Sequence, residues 1–328
     1  MKLATLRSQN LDGELVLVSR DLSRLTRVAD IAPTMQAALD DWANLRPKLA
    51  ARYQELQSGS ARDTETFDPA RALSPLPRAY QFVDGGSYMS HARRMYRMLG
   101  KEMDPRMDKE PFIYQAAADA FLAPMEDIPI ADDAWNVDYE AEIAVFTDAV
   151  PRGTTAQAAR EHIALVAAMN EVSLRGLIPN EMSKGFGLLQ SKPNAAFTPV
   201  AVTPDELGEA WRECRVHLRL RSEVNGERYG EPNAAESSFG FDQLIAHVAK
   251  TRRLSAGSIV GAGTVSNEDP ARGTSCLAER RVIEQLATGV AKTPWLRYGD
   301  RVRIDLIGPD DNSMCGAIDQ RMARAPVR

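Results

Sequence analysis

From Asn136 to Phe146 the chain reads Asn-Val-Asp-Tyr-Glu-Ala-Glu-Ile-Ala-Val-Phe, an alternation of period two. Successive side chains of a strand point to opposite faces. Val137, Tyr139, Ala141, Ile143 and Val145 therefore share one face, and Asp138, Glu140, Glu142, Ala144 and Phe146 share the other. Carboxylates two residues apart on a strand lie roughly 6.5–7 Å apart at Cα, within reach of a single cation. A row of acids on a strand is ordinarily a solvated face. Here the row runs into Ala144 and Phe146, so the face reads as covered. Covered carboxylates repel one another unless a proton or a metal intervenes. The segment is read as part of a metal site.

The rest of the composition narrows the class. A chain of 328 residues can bury a large core and suits one large domain plus a smaller one. With 44% hydrophobic residues and a net charge of −5 it reads as a soluble globular protein. Such a balance attracts neither nucleic acid nor an anionic membrane. The basic pairs Arg93-Arg94, Arg252-Arg253 and Arg280-Arg281 are short and read as solvated surface. Cys214, Cys276 and Cys315 are far apart and form no C-x-x-C pair, which argues against a thiolate zinc site and fits a reducing compartment. The first residues lack the apolar core of a signal peptide, and no run approaches a membrane span. A cytoplasmic location is expected.

Residues 1–75 read as a small α+β unit. Extended runs at 3–6 and 14–19 flank the turn Asn10-Leu-Asp-Gly13, and a helix is expected from about Met35 to Gln57. The stretch Ser58 to Thr64 reads as a loop, and Leu73-Ser-Pro-Leu-Pro77 as the entry to a main domain at 76–328. Beyond it short strands dominate: Arg215–Val224 ending in the hairpin signal Asn225-Gly226, a strand within 254–264, and Arg301–Leu306. The best helices are Thr155–His162 and Phe241–Lys250. This is a β-rich α+β pattern, not a doubly wound parallel sheet. Gly261-Ala-Gly263 is no dinucleotide fingerprint, since no helix pattern follows it.

Several motifs, in order, resemble the fumarylacetoacetate hydrolase family over roughly residues 76–320. Glu140-Ala-Glu142 resembles its paired metal glutamates, and Asn170-Glu-Val-Ser-Leu-Arg175 its Asn-Asp-x-Ser-Ala-Arg segment. Lys192 falls at the active-site lysine. Asn225-Gly-Glu227, Phe241 to Val248 and Gly261-Ala-Gly-Thr264 match its later half. Asp84-Gly-Gly-Ser-Tyr-Met-Ser-His91 is similar to the segment that supplies, in the true hydrolases, a metal aspartate and the catalytic histidine seven residues on. Gly263-Thr-Val-Ser266 likewise resembles the hydrolases more than the smaller isomerase and decarboxylase members. Glu279 falls near the glutamate that partners the histidine, and Tyr114 resembles a substrate-contacting tyrosine. Three departures stand out: Glu171 replaces an aspartate, Ala196 a threonine, and Ile178 a substrate-binding glutamine.

The resemblance implies a mixed β-sandwich roll that pairs as a homodimer, preceded here by the small N-terminal domain. It implies a metal set of Asp84, Glu140, Glu142 and Glu171. All-oxygen ligands prefer hard cations, so Mg²⁺ or Ca²⁺, with Mn²⁺ as a further choice, is expected. His91, held by Glu279, would activate water, and Lys192 would steady the oxyanion or protonate the departing carbon. Tyr114, Arg175 and Thr264 are expected to bind substrate, Arg175 by clamping a carboxylate. The expected activity is hydrolysis of a C–C bond in a small dicarbonyl acid, with fumarylacetoacetate of tyrosine catabolism leading. The rivals are an isomerase, hydratase or decarboxylase on a related 2-oxo or dienoic acid, and a non-catalytic metal-binding relative. Taken alone, Lys192 is an ordinary surface lysine, Tyr114 is as much a packing residue, and Arg175 is equally a countercharge for a buried Glu171. His162, His217 and His247 read as structural.

Overall fold

The computed structural model describes residues 1–98 and 100–326. It is a strand-rich α+β fold built on one long sheet. From one edge the strands run Thr64–Thr66, Arg24–Arg27, Glu14–Val18, Lys2–Leu6, Val200–Val202, Ile163–Asn170, Ala141–Thr147, Ile259–Thr264, Phe82–Gly86 and Phe112–Gln115. Lys2–Ala4 pair antiparallel with Val200–Val202. The first strands thus extend the same sheet that carries the site, rather than forming a sheet of their own. A second sheet is ordered Glu227–Gly230, Arg219–Val224, Arg301–Ile307, Ile318–Arg324 and Ile128–Ile130.

The alternation at 136–146 explains how the layers stack. Val137, Tyr139, Ala141, Ile143 and Val145 join one apolar cluster with Leu220, Val302 and Ile304 of the second sheet. Ala144 and Phe146 join another, with Met35, Trp42, Leu49 and Tyr53 from the N-terminal helices. The long sheet therefore lies between the second sheet and those helices. Both faces of Ala141–Thr147 are buried, which a single acidic row on an exposed face would not have required. Tyr139 reaches across the layers and donates to Ser222 Oγ at 3.0 Å, giving its buried hydroxyl a partner. The extended run is interrupted: Val137–Asp138 pairs with Ser173–Leu174, and the long strand begins at Ala141.

Several local expectations meet their elements. The turn before Gly13 closes a hairpin that pairs Leu6 with Glu14. Asn225 and Gly226 both adopt positive φ, 53° and 80°, the geometry of a two-residue hairpin. The helix expected over 35–57 is two helices, Met35–Asp40 and Trp42–Ser58, broken at Asp41. Three helices were not foreseen: Met89–Met98, which carries His91, Leu277–Thr288, which carries Glu279, and the short Ile178–Lys184.

A bulge sets the site's geometry. Glu142 pairs with Thr264 and Ala144 with Gly261, so one extra residue sits in the Ile259–Thr264 strand. That residue is accommodated at Gly263, with φ 86°. A Cβ there would lie 2.1 Å from the Gly85 carbonyl oxygen, and one on Gly261 2.2 Å from Asp84 Oδ1. Only glycine lets the Asp84 strand approach this closely. Gly263→Ala is expected to cost about 1–3 kcal/mol, read as a lower urea midpoint. A midpoint equal to wild type would contradict the packing described.

Candidate metal and proton-transfer site

Three strands and the turn after one of them bring the acids together. Asp84 comes from Phe82–Gly86, Glu142 from Ala141–Thr147, and Glu171 follows Ile163–Asn170. One carboxylate oxygen of each lies within 4.8 Å of the others, and all three residues are buried. Phe82 and Phe146, on the Asp84 and Glu142 strands, pack with Phe121 and Phe197 at ring-centroid distances of 5.0–6.0 Å in the adjoining apolar cluster.

Burial of the three acids has an electrostatic consequence. Burial, and then the neighbouring carboxylates, hold Glu142 well above the usual carboxylate range. Burial also raises Asp84, and it raises Glu171 to about 8 against the opposing pull of Lys192. Glu142 Oε2 is buried and has no hydrogen-bond partner among the described residues. Tyr114 Oη is 2.6 Å from Glu171 Oε1 and 3.1 Å from Asp84 Oδ2, yet its single proton serves only one of them. An orphaned carboxylate oxygen and a shortage of protons are what a hard cation resolves. The residues present fit one.

Glu140 is placed differently. Its Oε1 accepts from Arg175 at 2.6 Å and from Thr264 Oγ1 at 2.7 Å, and its Oε2 from Ser173 Oγ at 2.8 Å and from Lys192. Burial alone would raise its pKa, but Arg175 and Lys192 outweigh burial and hold it well below the usual range. Lys192 also bonds Glu171, so it spans the two glutamates. Arg175 bonds Asp138 at 2.9 Å as well as Glu140, which makes it their countercharge. Asp138 faces elsewhere and accepts from the amides of Leu277 and Ala278, at 2.7 and 3.0 Å, at the start of the Glu279 helix. Tyr114 and Thr264, expected at the substrate, are bonded to acids of the cluster.

The histidine and its partner meet beside this cluster. His91 Nδ1 lies 2.7 Å from Glu279 Oε2. Burial opposes the charge on Glu279, but His91, Ser266 and Arg94 together keep its pKa below the usual range. An ionised Glu279 accepts from Nδ1–H and leaves Nε2 as the nitrogen able to take a proton. Cys276 bridges to Glu140 in the backbone, and its Sγ lies within 4.8 Å of ligand atoms of His91 and Glu279, so the dyad adjoins the acids. Lys192 also lines a cavity of about 690 Å³ with Gln115, Lys184, Phe186, Leu189 and Gln190, the size of a small-molecule pocket.

The fumarylacetoacetate hydrolase C-terminal family description matches residues 81–321, and fumarylacetoacetase N-terminal domain 2 matches residues 1–78. The chain belongs to the fumarylacetoacetate hydrolase family. A mitochondrial oxaloacetate tautomerase of Bos taurus is 27% identical over 196 residues, 58% of this chain and 58% of that protein. The chain thus spans little more than half the length of that relative. Maleylpyruvate hydrolase from Sphingobium sp. SYK-6, in complex with manganese(II) ion and pyruvate, superposes at TM-score 0.65, with 16% identity over 99% of this chain and 100% of that one. Fumarylacetoacetate hydrolase from Exiguobacterium antarcticum superposes at 0.64, with 16% identity over 99% of each chain. Among this family member's described residues no helix is long and apolar enough to cross a membrane.

Sequence reasoning missed Ser173, Asp138's seat at a helix start, Ser266 and Arg94. Of these Ser173 and Ser266 were readable, since they lie within the Asn170–Arg175 and Gly263–Ser266 motifs, whereas Arg94, read as solvated surface, is mostly buried. Glu142→Gln removes one negative charge from the cluster and one cation ligand. In EDTA this variant is expected to be more stable than wild type by roughly 0.5–2 kcal/mol in urea denaturation. It is also expected to lose the rise in melting temperature that Mn²⁺ gives wild type. A variant destabilised in EDTA would contradict the repulsion argument.

Proposed function

We propose that the chain is a divalent-cation-dependent hydrolase that cleaves a C–C bond of a small dicarbonyl acid, with fumarylacetoacetate, giving fumarate and acetoacetate, as the leading substrate. The observation that carries the reading is the His91–Glu279 pair beside the three-carboxylate cluster. Asp84, Glu142 and Glu171 would hold the cation, with Glu140 joining them once Lys192 leaves it. Mg²⁺ and Ca²⁺ suit an all-oxygen set, and Mn²⁺ is supported by the maleylpyruvate hydrolase complex. When bound, the cation supplies positive charge where a 1,3-dicarbonyl gathers negative charge.

The side chains divide the remaining work. Glu279 holds the imidazole, and Nε2 of His91 takes a proton from water as its oxygen attacks the carbonyl carbon. Lys192 is a buried cation with hydrogens to donate, suited to the developing oxyanion or to returning a proton to the departing carbon. The cavity lined by Gln115, Lys184 and Gln190 offers polar groups for a distal carboxylate. A homodimer and a place in tyrosine degradation belong to the same proposal.

The tautomerase relative favours a second reading, isomerisation or tautomerisation of a 2-oxo acid. That chemistry needs no water-activating pair. His91→Ala therefore separates the two. Under the hydrolase reading it is expected to lower turnover of fumarylacetoacetate by at least about 10²-fold while Mn²⁺ affinity is kept. Loss of substrate absorbance is followed with Mg²⁺ or Mn²⁺ and with EDTA. Wild-type turnover by the variant, or no turnover by the metal-loaded native protein, would defeat the hydrolase reading.

A further inference from the structure

We infer that Arg94 is a positioning residue of the proton-transfer dyad, fixing both Glu279 and the helix that presents His91. The inference rests on the hydrolase reading for its kinetic consequence, though not for its geometry. His91 and Arg94 are three residues apart on Met89–Met98, so they lie on one face of that helix. They take opposite oxygens of Glu279: His91 meets Oε2, and Arg94 Nη1 bonds Oε1. Ser266 Oγ donates to that same Oε1 at 2.8 Å.

The guanidinium also reaches past the dyad. Nη1 donates to Ser266 Oγ at 2.9 Å, and Nη2 donates to the carbonyl oxygens of Asn267 and Glu268 at 2.8 and 2.9 Å. Ser90 Oγ adds a buried bond to Ser266 Oγ at 2.8 Å. These contacts tie the His91 helix to the segment that follows Thr264, and so to the strand facing Glu142. The planar fork of arginine meets four acceptors at once, which an ammonium cannot do. With its side chain 14% exposed, Arg94 is buried enough for these bonds to resist competition from water.

The charge argument points the same way. Glu279 is fully buried, and burying an unpaired carboxylate is costly. Arg94 supplies a permanent positive charge, so Glu279 stays ionised whichever protonation state the imidazole passes through in the cycle. A purely structural arginine would need only the two carbonyls. The bond to Glu279 Oε1 links it to the reacting proton.

The test compares Arg94→Ala, Arg94→Lys and wild type. With fumarylacetoacetate and saturating Mn²⁺, Arg94→Ala is expected to lose about 10–100-fold in kcat, the usual effect of removing a partner that orients an active group. KM and Mn²⁺ affinity should stay within about twofold. Added guanidinium ion should restore part of the loss, and Arg94→Lys should fall between the two. Independently of turnover, the His91 Nδ1 proton, followed by NMR on ¹⁵N-histidine protein, should be protected from exchange in wild type and exposed in Arg94→Ala. Should the alanine variant not fold, Arg94→Lys carries both readouts, with reduced kcat and faster exchange expected. Unchanged exchange in the variant that folds would overturn the inference, as would a loss of activity that guanidinium leaves untouched. If native protein turns over no fumarylacetoacetate, the hydrolase reading fails while the exchange result still decides the role of Arg94.

Discussion

Five buried carboxyl groups, Asp84, Asp138, Glu140, Glu142 and Glu171, share two cationic side chains, Lys192 and Arg175. Each acid was taken out of water by the fold, and removing charge from water without compensation is among the most expensive steps in folding. The pairing is uneven. Glu140 collects four donors, Asp138 collects a guanidinium and two helix amides, and Glu142 is left with an oxygen that no described residue satisfies. The unevenness locates the chemistry. Where the charges are balanced the protein's own donors hold the groups, and the unbalanced acids form the proposed cation site, which Glu140 would join once Lys192 leaves it.

The fold holds this strain by rigid means. Asp84 and Glu142 sit on strands of the long sheet, and Glu140 and Glu171 lie directly next to its strand ends, so relaxing them would mean moving the core. The bulge at Gly263 brings Thr264 opposite Glu142 and lets Asp84 pack against Gly261 without a clash. The acids are buried, so bulk water does not solvate the charges. Two helices converge to bring His91 and Glu279 within hydrogen-bond distance across 188 residues of sequence.

Much of this was legible before the structure. The alternation at 136–146 divides between the two core clusters, because period-two patterning survives wherever both faces are covered. The Asn225-Gly226 hairpin was legible for a local reason, since only certain residues accept positive φ. The helix bearing His91 was hidden by its entry, Gly85-Gly-Ser87, which reads as a loop, although Met89, Ala92, Met95 and Tyr96 are spaced for a helix. The bonds of Tyr114, Arg175 and Thr264 to the acids were not legible, because hydrogen-bond partners are a tertiary property. A sequence lists donors, and only the packed chain shows that acids of the cluster use these three. Continuity of the first strands with the main sheet was equally invisible, since the pairing of Lys2–Ala4 with Val200–Val202 spans nearly 200 residues.

The central claim is that the unbalanced carboxylates form a cation site, and anomalous diffraction from crystals grown with Mn²⁺ tests it most directly. One strong peak per chain is predicted among Asp84, Glu142 and Glu171, with Glu142 Oε2 as a ligand and Lys192 withdrawn from Glu140. An anomalous map that is flat at this position at saturating Mn²⁺, with the Lys192 bridge intact, would contradict the account.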